Sequence, residues 1–137
     1  MPASVTRSQE ETEHLAEALA VRLRAGDVLL LSGSLGAGKT AFVRGLAEGL
    51  GIDPGDVSSP TFTIVQEYRG PRLTLQHVDL YRLSPAEVSD LALDDLLDGA
   101  TIMAIEWAER LPREPAPPSI RVTLAHQPAG RTITIDG

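Results

Sequence analysis

The chain has 137 residues, 42% of them hydrophobic and 23% charged, which is typical of a single globular domain spanning residues 1–137. Its formal net charge of −7 argues against strong direct binding of RNA or DNA, because such binding normally needs a basic surface. The absence of cysteine excludes disulfides and thiolate metal sites and agrees with a cytoplasmic location, and no apolar run is long enough to cross a membrane.

The first 50 residues follow the order helix, strand, glycine-rich loop, helix. Apolar residues recur at helical spacing over residues 8–23, and Ser8 followed by Glu11 predicts a capping box at the start of that helix. Residues 27–31 form an apolar run that is typical of a strand buried on both faces of a parallel sheet. Helical spacing resumes over residues 40–50, after the glycines.

Beyond Pro60 the chain is richer in residues that favour strands. Residues 61–68 and 72–80 predict two strands joined by a turn, and residues 101–105 predict a short buried strand. Ser84-Pro85 predicts a helix start, with a second helical piece over residues 91–97. The four prolines of residues 112–118 indicate an extended connection, and residues 120–126 and 131–135 predict a closing hairpin.

The glycine-rich loop matches the phosphate-binding motif G-x-x-x-x-G-K-[ST] at every position. Glycines let backbone N–H groups turn toward phosphates, and the following helix directs its positive end at them. In this motif the lysine reaches the β- and γ-phosphates, and the hydroxyl of the next residue binds Mg²⁺. The motif residues are Gly33, Ser34, Leu35, Gly36, Ala37, Gly38, Lys39 and Thr40.

Lys39 is the only lysine in the chain, against eleven arginines. The composition favours arginine, so the single lysine marks a place where a compact ammonium is needed instead of a planar guanidinium. This supports a nucleotide site over a chance glycine loop.

Two carboxylates follow apolar strands, where P-loop enzymes place the acid beside Mg²⁺. Asp79 ends one strand and Glu106 ends the next, and the residues alone do not say which binds the metal and which orients water. Trp107, the only tryptophan, follows Glu106 and is expected at the site. His77 is interpreted as an ordinary strand histidine, because the three histidines match no metal-ligand spacing.

The segment around Thr61 is either a plain loop or a switch whose Thr61 hydroxyl approaches the γ-phosphate or its Mg²⁺. Four motifs then stand in one order and spacing: residues 36–40 (GAGKT), 59–63 (SPTFT), 77–83 (HVDLYRL) and 105–107 (IEW). Together they resemble the TsaE family, the bacterial ATPases of tRNA threonylcarbamoyladenosine biosynthesis. The resemblance runs from the N-terminal helix to about Glu109.

The resemblance implies a P-loop α/β fold with a parallel core, extended by antiparallel strands and with helices on both faces. It implies a slow ATPase that works with the partner proteins TsaB and TsaD and meets tRNA only through that assembly, which modifies adenosine 37.

By matching position, the resemblance assigns ATP and Mg²⁺ to the motif residues and Mg²⁺ coordination to Thr40 and Glu106. It places Asp79 near the attacking water or the switch, Trp107 beside the nucleotide and Thr12 on the adenine side. The family usually has an acidic residue where this chain has Ser34.

Two other functions fit the P-loop. A small-molecule kinase would need an arginine-bearing helical lid, and the chain offers a strand–turn–strand after the P-loop helix instead. A nucleotide-binding interaction module would bind without hydrolysis, and Ser34 leaves room for that alternative.

Overall fold

The computed structural model describes residues 4–33, 38–57, 65–112, 119–128 and 130–136. The strands of these residues form one sheet in the order β1-β7-β6-β2-β5-β4-β3. The strands are β1 (Ser4–Thr6), β2 (Val28–Ser32), β3 (Val65–Arg69), β4 (Thr74–Asp79), β5 (Thr101–Glu106), β6 (Ile120–Gln127) and β7 (Gly130–Asp136).

The centre of the sheet is parallel. Strand β2 pairs in parallel with β5 on one side and with β6 on the other, and β5 pairs in parallel with β4. Antiparallel pairs extend both edges, with β3 on β4, β7 on β6 and β1 on β7. This confirms the predicted parallel core with antiparallel extensions.

Helices cover both faces of the sheet, as predicted. Helices α1 (Gln9–Ala20) and α2 (Lys39–Gly49) pack together on one face, and α3 (Pro85–Asp90) lies on the other. Short 3₁₀ helices occur at Pro54–Asp56, Leu93–Leu96 and Ala108–Arg110. Among the described residues, no helix is long and apolar enough to span a membrane.

Alternation along the central strands builds a separate core on each face. The core beneath α1 and α2 takes Leu29 and Leu31 of β2, with Ile102 and Ala104 of β5. The intervening residues face α3, and their core includes Val28, Leu30, Met103, Ile105 and Val88. A strand buried on both faces therefore reads as a continuous apolar run, which is why β2 was predictable.

Serine caps start two of the helices. The Ser84 side chain accepts from the Glu87 N–H, and the Glu87 side chain accepts from the Ser84 N–H, which completes a capping box. Ser8 likewise accepts from the Glu11 N–H, but the Glu11 carboxylate accepts from the N–H of Arg7. The capping box predicted for α1 is therefore shifted by one residue on its carboxylate side.

Two elements differ from the prediction. Strand β1 was not predicted, because three residues with one apolar side chain carry no recognisable alternation. The second helical piece is the 3₁₀ helix Leu93–Leu96. The predicted extended connection lies mostly outside the described residues, as does the first part of the strand predicted over residues 61–68.

Candidate nucleotide-binding site

The glycine-rich loop joins β2 to α2, as the sequence predicts. Strand β2 ends at Ser32, and α2 begins at Lys39 after its N-cap, Gly38. Gly38 has a φ of 101°, in the left-handed region that glycine adopts without steric cost. Residues 34–37 of the motif (Ser34, Leu35, Gly36 and Ala37) lie outside the described residues. Strand, loop and helix therefore stand in the order that a phosphate-binding loop requires.

Lys39 is the residue at which this loop meets α2, and its side chain is held by two contacts. Its side chain is buried, its Nζ donates to the carbonyl oxygen of Gly33 at 2.7 Å, and the same Nζ lies 3.9 Å from the centre of the Trp107 ring. Burial lowers the pKa of Lys39, and the carboxylates of Glu106, Glu109 and Asp79 oppose that shift. The ammonium thus occupies a partly desolvated position surrounded by negative charge.

The sheet places both predicted carboxylates beside the loop. Glu106 ends β5 opposite Leu31 of β2, and Asp79 ends β4 opposite Glu106. Since parallel strands present their carboxyl ends at one edge, both acids reach the edge where the P-loop leaves β2. Alternation puts Asp79 and Glu106 on the same face as α2, whose first residue is Lys39.

The His77 ring is hydrogen-bonded to the Glu106 carboxylate, a contact that the sequence did not indicate. The His77 Nε2 and the Glu106 Oε2 are 2.5 Å apart, and the two side chains are 0% and 5% exposed. The His77 Nδ1 is buried, with no hydrogen-bond partner among the described residues. The interpretation of His77 as an ordinary strand residue is incomplete, because its ring fixes one oxygen of the candidate metal carboxylate.

Asp79 is only partly buried and turns back onto the segment that follows it. Its Oδ1 accepts from the Tyr81 N–H at 2.9 Å. Burial raises the pKa of Asp79, the Tyr81 hydrogen bond opposes that rise, and the nearby Glu106 charge adds to it. A carboxylate in this state binds a proton more readily than an exposed aspartate does.

Trp107 places an aromatic ring in contact with both Lys39 and Tyr81. It follows Glu106 with φ 61° and ψ 43°, a left-handed conformation that is unusual for a large side chain. The centre of its ring lies 4.8 Å from the centre of the Tyr81 ring, and the two ring planes are tilted by 43°. The Lys39 ammonium lies over the Trp107 ring. The structure thus brings Trp107 to Lys39, and its place beside a nucleotide stays a prediction.

The three candidate threonines have different settings. Thr40 is the second residue of α2 and is half-buried next to Lys39. Thr12 is fully buried in α1, 2.8 Å from the hydroxyl of Thr6 and 3.3 Å from the carbonyl of Ser8, so its adenine-side role stays a prediction. Thr61 lies outside the described residues.

The oxygen atoms of the candidate site suit a magnesium ion whose remaining ligands come from the substrate and water. Within the described part of the chain, no cluster of three or more His, Asp or Glu side chains could hold a metal by itself. Mg²⁺ is usually bound by one or two protein oxygens together with phosphates and water. The Glu106 carboxylate, already oriented by His77, and the Thr40 hydroxyl fit that need.

Arg131 contacts the glycine-rich loop, which the sequence analysis did not indicate. A Cβ built on Gly38 would lie 3.1 Å from the Cδ and 3.2 Å from the Nε of Arg131, so this side chain rests on the loop glycine. In the pairing of β7 with β1, Arg131 lies opposite Thr6, whose hydroxyl is hydrogen-bonded to the hydroxyl of Thr12. The contact joins residues 93 positions apart, and only the strand order could have indicated it.

Comparison with known proteins gives one consistent family. The family model of the threonylcarbamoyl adenosine biosynthesis protein TsaE matches residues 6–133. The tRNA threonylcarbamoyladenosine biosynthesis protein TsaE of Bacillus subtilis is 48% identical over 113 residues, covering 80% of this chain and 70% of that protein. The protein of the same name from a Nostoc species is 47% identical over 112 residues, covering 79% of this chain and 68% of its own.

A solved structure agrees with the sequence relatives. The crystal structure of Bacillus subtilis YdiB superposes with a TM-score of 0.75 and 36% identity, over 98% of this chain and 83% of that one. The match to the family model spans the P-loop, both candidate carboxylates and most of the closing hairpin. This chain belongs to the TsaE family.

Proposed function

We propose that this protein binds ATP with Mg²⁺ and hydrolyses the ATP slowly, as an accessory protein in the threonylcarbamoylation of adenosine 37 of tRNA. The observation that carries this proposal is that Lys39 starts the helix that follows the P-loop, while Glu106 and Asp79 end neighbouring strands at the sheet edge where that loop leaves β2. Membership in the TsaE family supports the pathway, since relatives bear the name of tRNA threonylcarbamoyladenosine biosynthesis proteins.

Each described residue has a distinct part in this proposal. The Lys39 ammonium, now donating to Gly33, pairs with the phosphates of bound ATP. Thr40 and Glu106 hold Mg²⁺, which supplies electrostatic stabilisation of charge on the phosphates. His77 keeps the Glu106 carboxylate in one orientation, since a buried hydrogen bond restricts its rotation.

Asp79 is the proposed proton acceptor near the attacking water. Its pKa is raised by burial and by Glu106, so it takes up a proton more readily than a solvated aspartate. Its Oδ1 accepts from the Tyr81 N–H, which restricts rotation of the carboxylate. Thr61, outside the described residues, is the proposed nucleotide-sensitive residue of a switch segment.

We further propose that hydrolysis is coupled to the partner proteins TsaB and TsaD in the cytoplasm. The net charge of −7 makes the chain a poor tRNA ligand alone, so tRNA is expected to reach it only through those partners. Slow ATP hydrolysis by the isolated protein is expected if the assembly with TsaB and TsaD completes or resets the reaction.

The test is phosphate release from Mg-ATP, with and without TsaB, TsaD and tRNA. We expect a low basal rate that changes with the partners and falls at least ~100-fold in Glu106→Gln, which keeps the size of the side chain but loses its charge. Glu48→Gln is the matched control, because Glu48 is exposed near the far end of α2.

Three outcomes would contradict the proposal. A basal rate unaffected by the partners argues against the accessory role. Transfer of phosphate to a metabolite in place of water supports a small-molecule kinase. ATP binding without any phosphate release, partners included, supports a nucleotide-binding module that does not hydrolyse.

A further inference from the structure

Arg131 lies at the edge of the sheet from which the P-loop emerges. Strand β6 runs parallel to β2, and β7 returns antiparallel to β6, so the first residues of β7 lie at the carboxyl edge of β2. Ile133 and Ile135 of β7 enter the core beneath α1 and α2. By alternation, Arg131 points to the same face of the sheet as these helices.

The Arg131 side chain reaches the loop itself. Measured from a Cβ built on Gly38, its Cδ, Nε and Cζ lie at 3.1, 3.2 and 3.7 Å, and its Nε is shielded from solvent. Gly38 directly precedes Lys39 and is the N-cap of α2. The Arg131 side chain therefore contacts the residue that directly precedes Lys39 in the chain.

The location of Arg131 is opposite to that of the acids. In the strand order, β7 and β6 lie on one side of β2, whereas β5 and β4, which carry Glu106 and Asp79, lie on the other. The charges of both carboxylates act on Lys39, where they oppose the lowering of its pKa by burial. A polyphosphate entering here would be repelled by the two acids, so a cation on the β7 side, in addition to Lys39, would offset that repulsion.

We propose that Arg131 is a phosphate-binding residue of the nucleotide site, which approaches the phosphates from the β7 side of the loop. A guanidinium group presents planar paired donors that match phosphate oxygens. The absence of a side chain at Gly38 gives it room to do so. This inference rests on the proposed ATP binding and adds to it a residue from the closing hairpin.

The experiment is calorimetric titration of ATP and of ADP into wild-type protein and Arg131→Met, which keeps an apolar stem against Gly38. Loss of a charged hydrogen bond should weaken binding of both nucleotides about tenfold or more. Arg121→Met is the matched control, because Arg121 is an exposed arginine on the neighbouring strand β6 and should bind as wild type does.

A purely structural role is separated by the melting temperature without nucleotide. The proposal predicts that Arg131→Met loses nucleotide affinity while this melting temperature stays close to that of wild type. If Arg131→Met folds poorly, Arg131→Gln decides, since it removes the charge and keeps a polar side chain: weaker ATP binding at an unchanged melting temperature supports the contact, and unchanged binding overturns it.

The two proposals fail in different ways. Wild-type affinity in a folded Arg131→Met overturns the role of Arg131 and leaves the proposed function standing. Absence of ATP and ADP binding by the wild-type protein overturns both.

Discussion

At the scale of single residues, the role proposed for Asp79 conflicts with the stability of the fold. It is partly buried beside Glu106, and burial followed by that neighbouring charge raises its pKa. A carboxyl group whose folded pKa exceeds its unfolded pKa favours folding in its protonated form. Its contribution is present in full below the ordinary aspartate range and is lost as pH rises through the raised pKa.

Asp79→Asn is therefore expected to stabilise the metal-free protein at neutral pH. Asparagine keeps an Oδ1 acceptor for the Tyr81 N–H and removes the charge beside Glu106. Thermal melting in chelator should show a higher melting temperature for the variant at pH 7, with the difference shrinking as pH falls through the aspartate range. Asp56→Asn, an exposed aspartate, should show no comparable gain. An Asp79→Asn protein less stable than wild type at pH 7 would contradict this account.

Trp107 is the only tryptophan and lies against the Lys39 ammonium at 3.9 Å. A nucleotide that draws the ammonium toward its phosphates changes the field at the indole ring. We expect intrinsic tryptophan fluorescence to change on addition of Mg-ATP and to saturate with its binding curve. The change should be absent in Lys39→Met, and an unchanged spectrum at saturating ATP would show that the contact with Trp107 persists.

At the scale of elements, α1 and α2 meet through glycines. A Cβ on Gly45 would lie 2.2 Å from the carbonyl oxygen of Glu13, and one on Gly49 would lie 2.6 Å from the Cβ of Ala20. The backbones of the two helices therefore approach too closely for any larger side chain. This contact fixes the position of α2, and with it the position of Lys39 at its first residue.

Gly45→Ala should lower the free energy of unfolding by ~1–3 kcal/mol, because overpacking outweighs the better helix propensity of alanine. Chemical denaturation measures the change. Gly99→Ala is the control, since a Cβ at Gly99 meets nothing within 4 Å, and it should stay within about 0.5 kcal/mol of wild type. A Gly45→Ala protein as stable as the control would show that the helices separate at little cost.

The sequence predicted those elements whose signals are local. The apolar run of β2, the serine cap of α3 and the loop glycine Gly38 each follow from neighbouring residues. Strand β1 was missed because it is stabilised by pairing with β7, more than a hundred residues away. Local pattern carries no information about such pairing.

The same limit applies to the site. Lys39, Glu106 and Asp79 could be predicted as candidate site residues because their residue types follow recognisable strands and motifs. The bond from His77 to Glu106 and the contact of Arg131 with Gly38 depend on which strands are neighbours. They became visible only with the strand order.

At the scale of the whole molecule, the net charge of −7 disfavours electrostatic attraction to a polyanion such as tRNA. We expect the isolated protein to bind tRNA no more tightly than ~10⁻⁴–10⁻⁶ M at physiological salt, the range of non-specific binding. Filter binding with labelled tRNA measures this affinity, and adding TsaB and TsaD is the comparison. Tight binding by the protein alone would contradict the view that partners hold the tRNA.

The solitary lysine has a consequence for chemical labelling. Apart from the chain's amino terminus, Lys39 is the only primary amine, and it is 5% exposed with a pKa lowered by burial. An acylating reagent therefore has one internal target, and peptide masses distinguish its modification from that of the amino terminus. Because nucleotide would cover that amine, the fall in its labelling relative to nucleotide-free protein measures occupancy, without a tag or a partner protein.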